Sequence, residues 1–473
     1  MREKLEKFFK ISERGSTVRT EIIAGLTTFF AMAYIVVTNP NQITGFITGG
    51  GFDTIWYATY VASILVAVIG TLLMALYAKM PFAQACGMGL NSFFFVSFVL
   101  PAMLSGKDVV KGYQEGLTII LLSGIIFMIL SLTGLREYIA RALPENLKKA
   151  IPAGIGLFIA FIGFKNVGII QDNQYTFVQL FDFHGAVAGK SVFEGWVAIA
   201  PVVLALLGLF AMAVLTKKNV KGSVIITILG VSVLYYLTTW TAPDFNLGAI
   251  GESFKAFGTI GVIGAFKGFS VFSGGASAVV NAIVLVITFA LVDMFDTIGT
   301  LYGTASQADM IDENGDPQNL RECMNCDSIA TVTGAILGTS TCTTFVESAA
   351  GVGAGGRTGL ASVVTAACFF LCLFLTPLAV IIPACATAPA LIYVGVLMLK
   401  GFGKVDMDDI ASAVPAFLAL IMMPLTYSIS NGIAVGAIAY VIITACQGKY
   451  TKKDIPVTVI AVLFALRFFL VTM

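Results

Sequence analysis

The sequence predicts an all-α polytopic membrane protein. Fourteen transmembrane segments are expected, arranged as two inverted repeats of seven, with broken half-helices at segments 3 and 10. Three observations predict it. Of 473 residues, 58% are hydrophobic and 12% charged, with a mean hydropathy of +0.92, whereas soluble domains carry about 25% charged residues. The apolar residues form runs of about 17 to 25 residues, the length that crosses a bilayer as helix. Two segments in matching places, 82–103 and 345–356, are too rich in Gly, Ala, Ser and other small or polar residues to be lipid-facing helices.

In chain order, Met1 to Lys10 has the amphipathic pattern of a short helix on the cytoplasmic surface. The charged residues 1–20 form a cytoplasmic arm that leads directly into a span, so the first helix does the targeting. The first repeat, 21–240, has spans near 21–38, 55–78, 116–135, 149–164, 196–216 and 222–240. Residues 241–277 form an extracellular linker. The second repeat, 278–473, has spans near 278–302, 327–344, 359–382 and 387–403, then apolar runs at 410–428, 430–447 and 455–472. Either the first two of these runs are one span broken at PLTYSISNG, or the tail is an additional helix in the interface. Arg467 in that tail reads as a snorkelling side chain.

Lys and Arg in short loops set the orientation. With the N-terminus inside, Arg14, Arg136, Arg141, Lys217, Lys221 and Arg357 fall on the cytoplasmic side with most of the others, and few fall outside. The acidic loop 309–322 weighs little in this rule. Both termini are then cytoplasmic, in a plasma (cell or inner) membrane. An odd number of spans precedes the linker, so the second half starts from the opposite side and the repeats are inverted. AIPAGIGLFIAFIGF (150–164) and ATAPALIYVGVLMLKGF (386–402) correspond as fifth members.

A net charge of +1 leaves no basic face for nucleic acid. The eight cysteines lie mostly in apolar runs, where a thiol behaves as a small hydrophobe. The lone Cys323-Met-Asn-Cys326 pattern has no second pair, and the only histidine, His184, is distant, so no metal site or cofactor is expected.

Of the 27 acidic residues, all but Asp293, Asp296 and Glu347 are placed in loops or at span ends, Glu21 and Asp327 included. A carboxylate at mid-membrane costs roughly 2.5 to 3.5 kcal/mol on insertion scales, so the three ask for a function. Asp293 and Asp296 share a helix face that Thr297 and Thr300 continue. In ACGMGLNSFF a helix is expected near Asn91, which is a candidate N-cap, and in TSTCTTFVES extended chain gives way to a helix near Glu347. The positive ends of these half-helices would face one another across the midplane with substrate between them.

Ionised carboxylates accept hydrogen bonds and repel anions. A neutral, flat heterocycle with adjacent NH donors is therefore expected. Glu347 would take a ring NH and exocyclic amine, and Asp293 an imidazole NH, making Asp293 the expected ligand and Asp296 its support. Phe94, Phe345 or Phe29 would supply a stacking face. A buried acid would carry a proton, although sodium also suits such a site. Gly351, Gly353, Gly355 and Gly356 are read as close-packing and hinge positions.

TVRTEIIAGLTTFFAMAYIVVTNP, ACGMGLNSFF, DMFDTIGTLYG, GTSTCTTFVESAAGVGAGGRTGL and MMPLTYSISNGIAVG resemble the hypoxanthine/guanine permeases of the azaguanine-resistance-like group of nucleobase:cation symporters. The likeness runs from about Val18 onward. It implies a seven-plus-seven repeat with a core (spans 1–4 and 8–11) and a gate (spans 5–7 and 12–14), often dimeric, importing purines with protons by an elevator-like movement. It places binding residues on Asn91, Asp293, Asp296 and Glu347. Cys86, Ser92 and Cys342 depart from the residues common in relatives, so the purine preference stays open, as do xanthine, uracil and sodium coupling. An anion exchanger is disfavoured by three acids, and a channel gives no reason for paired broken helices. An intramembrane aspartyl protease would put its two acids on different helices.

Overall fold

The structure, a computed structural model, describes residues 2–133, 144–218, 220, 222–307, 310–311 and 317–470. Met1, Arg136, Arg141, Lys221 and much of the acidic loop 309–322 lie outside the described residues, as does the Arg467 side chain.

The arm is helical in α1 (Arg2–Phe9), after which Phe9 and Ile11 bury against Leu360. Helix α2 (Val18–Met32) starts where the Thr17 hydroxyl accepts the Thr20 N–H at 3.1 Å, satisfying one of the orphan donors of the first turn. The first span then breaks at Ala33 and Tyr34 and resumes as α3 (Ile35–Ile43). No strong breaker marks this point in the sequence. On α3 the polar Thr38, Asn39 and Gln42 are all buried, so this half of the span faces protein.

Helix α4 (Gly51–Leu73) runs on through a π-turn to Ala78 and stops at Lys79, whose φ of 56° leaves helical space. The two interruptions follow the expected pattern of extended chain leading into helix. Strand β1 (Gln84–Cys86) precedes α5 (Met88–Phe94), which continues through a π-turn to Leu104. The helix begins at the Gly87 cap, one turn before Asn91, so Asn91 is an interior residue and not the N-cap.

Helices α6 (Val109–Thr133), α7 (Glu145–Asn166), α8 (Val192–Lys217) and α9 (Ser223–Thr239) complete the first half, with a hairpin of β2 (Ile170–Asn173) and β3 (Phe177–Leu180) after α7. The linker is more than a loop. It holds the short helix Ala249–Ala256 and tight turns, and it docks on α6: the Thr118 hydroxyl donates to the Ala265 carbonyl at 2.6 Å and Ser270 to Glu115 at 2.7 Å.

Helix α10 (Gly275–Gln307) carries the paired aspartates, followed by α11 (Leu320–Leu337), β4 (Cys342–Thr344), α12 (Ser348–Gly353), α13 (Gly359–Cys372) and α14 (Ala384–Leu399). The expected span at 327–344 is displaced. Its helix starts at Leu320 and ends at Leu337, which places Asp327 two turns inside and not at a span end. Hydropathy misplaces it because the polar first half of α11 is buried by protein, where low hydropathy carries no penalty.

Beyond α14, α15 (Ile410–Leu425) and α16 (Ile429–Cys446) are separate helices joined by a turn in which Tyr427 takes φ 52°. Gly432 packs by Ala419 and Met423, and Gly436 by Pro415, so the two run antiparallel. That overturns a single span broken at PLTYSISNG. The tail is α17 (Ile455–Leu470), whose Val457 and Ala461 pack on Ala437 of α16.

Among the described residues, eight helices are long and apolar enough to cross a membrane, and four shorter apolar helices accompany them, including 88–104. Helices α4, α10 and α11 pack around the β1–β4 pair, α13 packs on α2 and α4, and α7 packs on α14 and α15. The second group is close-packed through glycine: a methyl at Gly156 would stand 3.0 Å from the Gly395 carbonyl oxygen.

Candidate functional site

The centre of the molecule is a two-stranded ribbon. β1 and β4 pair antiparallel with Gln84 opposite Thr344, Ala85 opposite Thr343 and Cys86 opposite Cys342. Every residue of both strands is buried. Backbone bonds extend the pairing at each end: the Gly87 N–H donates to the Thr341 carbonyl and the Phe345 N–H to the Ala83 carbonyl, both at 3.0 Å. Three residues per strand would not hold alone in water; here, strand backbone satisfied by its partner is what membrane depth requires. Because the strands are antiparallel, α5 and α12 leave from opposite ends of the ribbon.

Side chains alternate across the ribbon. On one face, the Thr343 hydroxyl lies 3.1 Å from that of Thr297 on α10. Asp296, one residue earlier, is half-buried, and its carboxylate stands beside Gly87, 3.8 Å from where a Cβ would be. Asp293 is fully buried. Its Oδ2 accepts from the Thr331 hydroxyl of α11 at 2.9 Å, and the same hydroxyl accepts the Cys342 N–H at 3.1 Å. The stripe read from sequence therefore exists, but its two acids differ in exposure.

Glu347 stands at the N-cap position of α12, is half-buried, and its Oε1 accepts from the Tyr34 hydroxyl at 2.7 Å. Tyr34 sits at the break in the first span, which explains how α2 and α3 bring a phenol to mid-molecule. Asn91 is fully buried: its Oδ1 accepts from the Ser340 hydroxyl, and its Nδ2 donates to Gln42 Oε1 at 3.3 Å. It links α3, α5 and the approach to β4.

The aromatic candidates are placed differently. Phe94 packs against Phe98 and Tyr113 and covers Gly116 on α6. Phe29 meets Phe369 edge-on, and Phe345 is buried at the ribbon end. The glycines behave as read at two positions: methyls at Gly351 and Gly356 would stand 2.6 Å from the Ala24 carbonyl oxygen and 2.8 Å from its Cβ, so α12 lies directly on α2. Open space surrounds Gly353.

The sequence missed Tyr34, Gln42, Gln84, Asp327 and Thr331. Only Asp327, a charged residue within a weakly apolar run, carried a signal that could have found it. Asn39, Ser63, Thr339 and Cys86 form an adjoining polar patch, with Asn39 donating to Ser63 and, at 3.1 Å, to Thr339.

Carboxylates gathered beside interrupted helices inside an apolar bundle define a membrane transporter. The comparisons agree. The Xan_ur_permease model, described as a permease family, matches residues 19–435, and the chain belongs to that family. It is a multi-pass transporter and not an enzyme, which sets aside the aspartyl protease. Similar proteins include the guanine/hypoxanthine permease PbuO of Bacillus subtilis strain 168, 38% identical over 98% of this chain and 100% of that protein. The adenine permease AdeQ of Escherichia coli K12 is 36% identical over 99% of this chain and 96% of that protein. Among solved structures, the transmembrane domain of the cyanobacterial bicarbonate transporter BicA shares the fold, with a TM-score of 0.59 at 15% identity over 89% of this chain and 97% of that one.

Proposed function

We propose that this permease imports purine nucleobases, guanine or hypoxanthine and adenine among them, by proton symport. The observation that carries the reading is the placement of two half-buried carboxylates, Asp296 and Glu347, at opposite ends of one buried ribbon. Its three paired positions cover roughly 7 Å. A bicyclic purine presents NH donors on two separate edges, and acceptors at both ends of a short polar platform suit it. The names of the similar permeases point to the same substrates.

Burial divides the acids. Asp296 and Glu347 are assigned to the ligand, while Asp293, fully buried and held by Thr331, is assigned to support; this exchanges the roles expected from sequence for the two aspartates. Thr297 holds α10 to the ribbon. Asn91 acts through Gln42 and Ser340. One of the three acids takes up the proton with the substrate. Fourteen segments in inverted repeats, a core of spans 1–4 and 8–11 moving past a gate in elevator fashion, a homodimer, and a plasma-membrane location with cytoplasmic termini complete the proposal. The antiparallel ribbon, joining the third segment of each half, supports the inverted arrangement.

The test is uptake of radiolabelled hypoxanthine, guanine, adenine, xanthine and uracil by a permease-deficient host, over a range of pH and with an uncoupler. Purine uptake that rises as external pH falls and stops with the uncoupler is expected. Uptake driven by sodium sinks the proton coupling, and uptake confined to uracil or xanthine sinks the substrate assignment.

A further inference from the structure

Asp327 has no part in the transport scheme above, yet it is fully buried at the centre of the molecule. It projects from α11 onto the face of the ribbon opposite to the one that meets α10. A single carboxylate oxygen, Oδ1, accepts from Gln84 Nε2 and from the Thr344 hydroxyl, the latter at 3.1 Å. Gln84 and Thr344 stand directly opposite each other in the strand register. One atom thus bonds both strands at the same rung.

The spacing of α11 makes this a two-point grip. Asp327 and Thr331 are four residues apart on a helix, about 6 Å of rise, and their partners Thr344 and Cys342 are two apart on a strand, roughly 6.6 Å. Helix and strand stay in step, so α11 holds β4 at both points, through Asp327 to Thr344 and through Thr331 to the Cys342 backbone. The Gln84 backbone is fastened to α4 by Thr71, which accepts its N–H at 3.0 Å and donates to its carbonyl at 3.2 Å. Gly70 allows the contact: a methyl there would lie 3.1 Å from Gln84 Cβ.

The ribbon ends fix where α5 and α12 begin, and therefore where Gly87, beside Asp296, and Glu347 stand. We infer that Asp327 is a positioning residue for substrate affinity, which sets where Glu347 stands relative to the Gly87 backbone beside Asp296 by clamping β1 to β4 from behind. The inference rests on the proposed purine reading for its transport readout. The role needs an acceptor oxygen and not a charge, because an amide carbonyl offers the two lone pairs that Gln84 and Thr344 use.

Asp327→Asn and Asp327→Ala are compared with the parent at equal surface abundance by purine uptake, together with hydrogen exchange of the Gly87 and Phe345 amides in the purified full chain. Asp327→Asn is expected to keep KM within about threefold, and Asp327→Ala to raise it tenfold or more with the maximal rate per transporter little changed. Amide exchange is expected to quicken at least tenfold in the Ala variant only, and a Gln84→Ala and Asp327→Ala pair to add less than the product of the single effects. An unchanged KM in Asp327→Ala overturns the inference, and so does an Asn variant as impaired as Ala, which assigns the effect to charge. If the Ala variant does not reach the membrane, Gln84→Met and Thr344→Val replace it; both reaching the surface with parental KM and exchange overturns the clamp. A parent that takes up no purine defeats the functional reading alone, since amide exchange still tests the clamp.

Discussion

Tyr34 donates its hydroxyl to Glu347 across 2.7 Å, joining the break in the first span to the start of α12. Residues 313 positions apart in the chain are held by this one bond. It fixes one carboxylate oxygen of a proposed ligand and sets how the other is presented.

Tyr34→Phe keeps the ring and removes the donor. A hydrogen bond to a charged acceptor contributes about 1.5 to 3 kcal/mol, and part of that is recovered by relaxation. Purine uptake in the variant should show KM raised about tenfold at normal surface abundance; an unchanged KM would mean that Glu347 needs no orienting partner.

Burial predicts unequal damage in the aspartate pair. Asp296→Asn and Glu347→Gln should each lower kcat/KM for purine uptake by about 100-fold or more, on the order of 2.7 kcal/mol. Asp293→Asn keeps an oxygen for Thr331 and should cost less than about tenfold. Initial-rate uptake ranks the three, and a more severe Asp293 variant would restore the assignment made from sequence.

Gly351 is a packing position. Its α-carbon faces the Ala24 carbonyl so closely that a methyl would stand 2.6 Å from the oxygen. Gly351→Ala should cost roughly 1 to 3 kcal/mol through overpacking and lower the melting temperature in detergent, while Gly353→Ala, with open space around it, should leave it near the parental value.

Glu21 is fully buried at the start of α2 and accepts backbone N–H bonds from Arg357, Thr358 and Ala361, at 2.8, 3.2 and 3.3 Å. It caps the first turn of α13 from another helix. Glu21→Ala leaves the Arg357 and Thr358 donors unpaired at about 1 to 3 kcal/mol each before relaxation, while the Ala361 N–H keeps the Thr358 carbonyl at 3.2 Å, so thermal stability should fall well below that of Glu21→Gln, which keeps one acceptor oxygen. Equal melting temperatures for the two variants would refute this account.

Particular residues show what could be read before folding. LVDMFDTIGT announced itself because carboxylates in an apolar run are costly wherever the run lies in the membrane. The change from TSTCTT to helix at Glu347 was legible from hydroxyl and β-branched residues followed by small ones. The Tyr34 break was not, since AMAYIVV contains no Gly or Pro. Hydropathy puts Asp327 at a span end because it averages over a window and takes no account of a protein partner.

The sequence by itself determined the membrane class, the places of most helices and the three acids whose cost demanded a use. These follow from sums over neighbouring residues, which the chain carries locally. Tertiary structure alone decided that residues 84 and 344 share a rung, that α15 and α16 are a hairpin, and that Asp296 is half-buried where Asp293 is enclosed. Those outcomes depend on which groups meet across hundreds of residues. Hydrogen-bond satisfaction at membrane depth selects among such meetings, and local composition does not encode it.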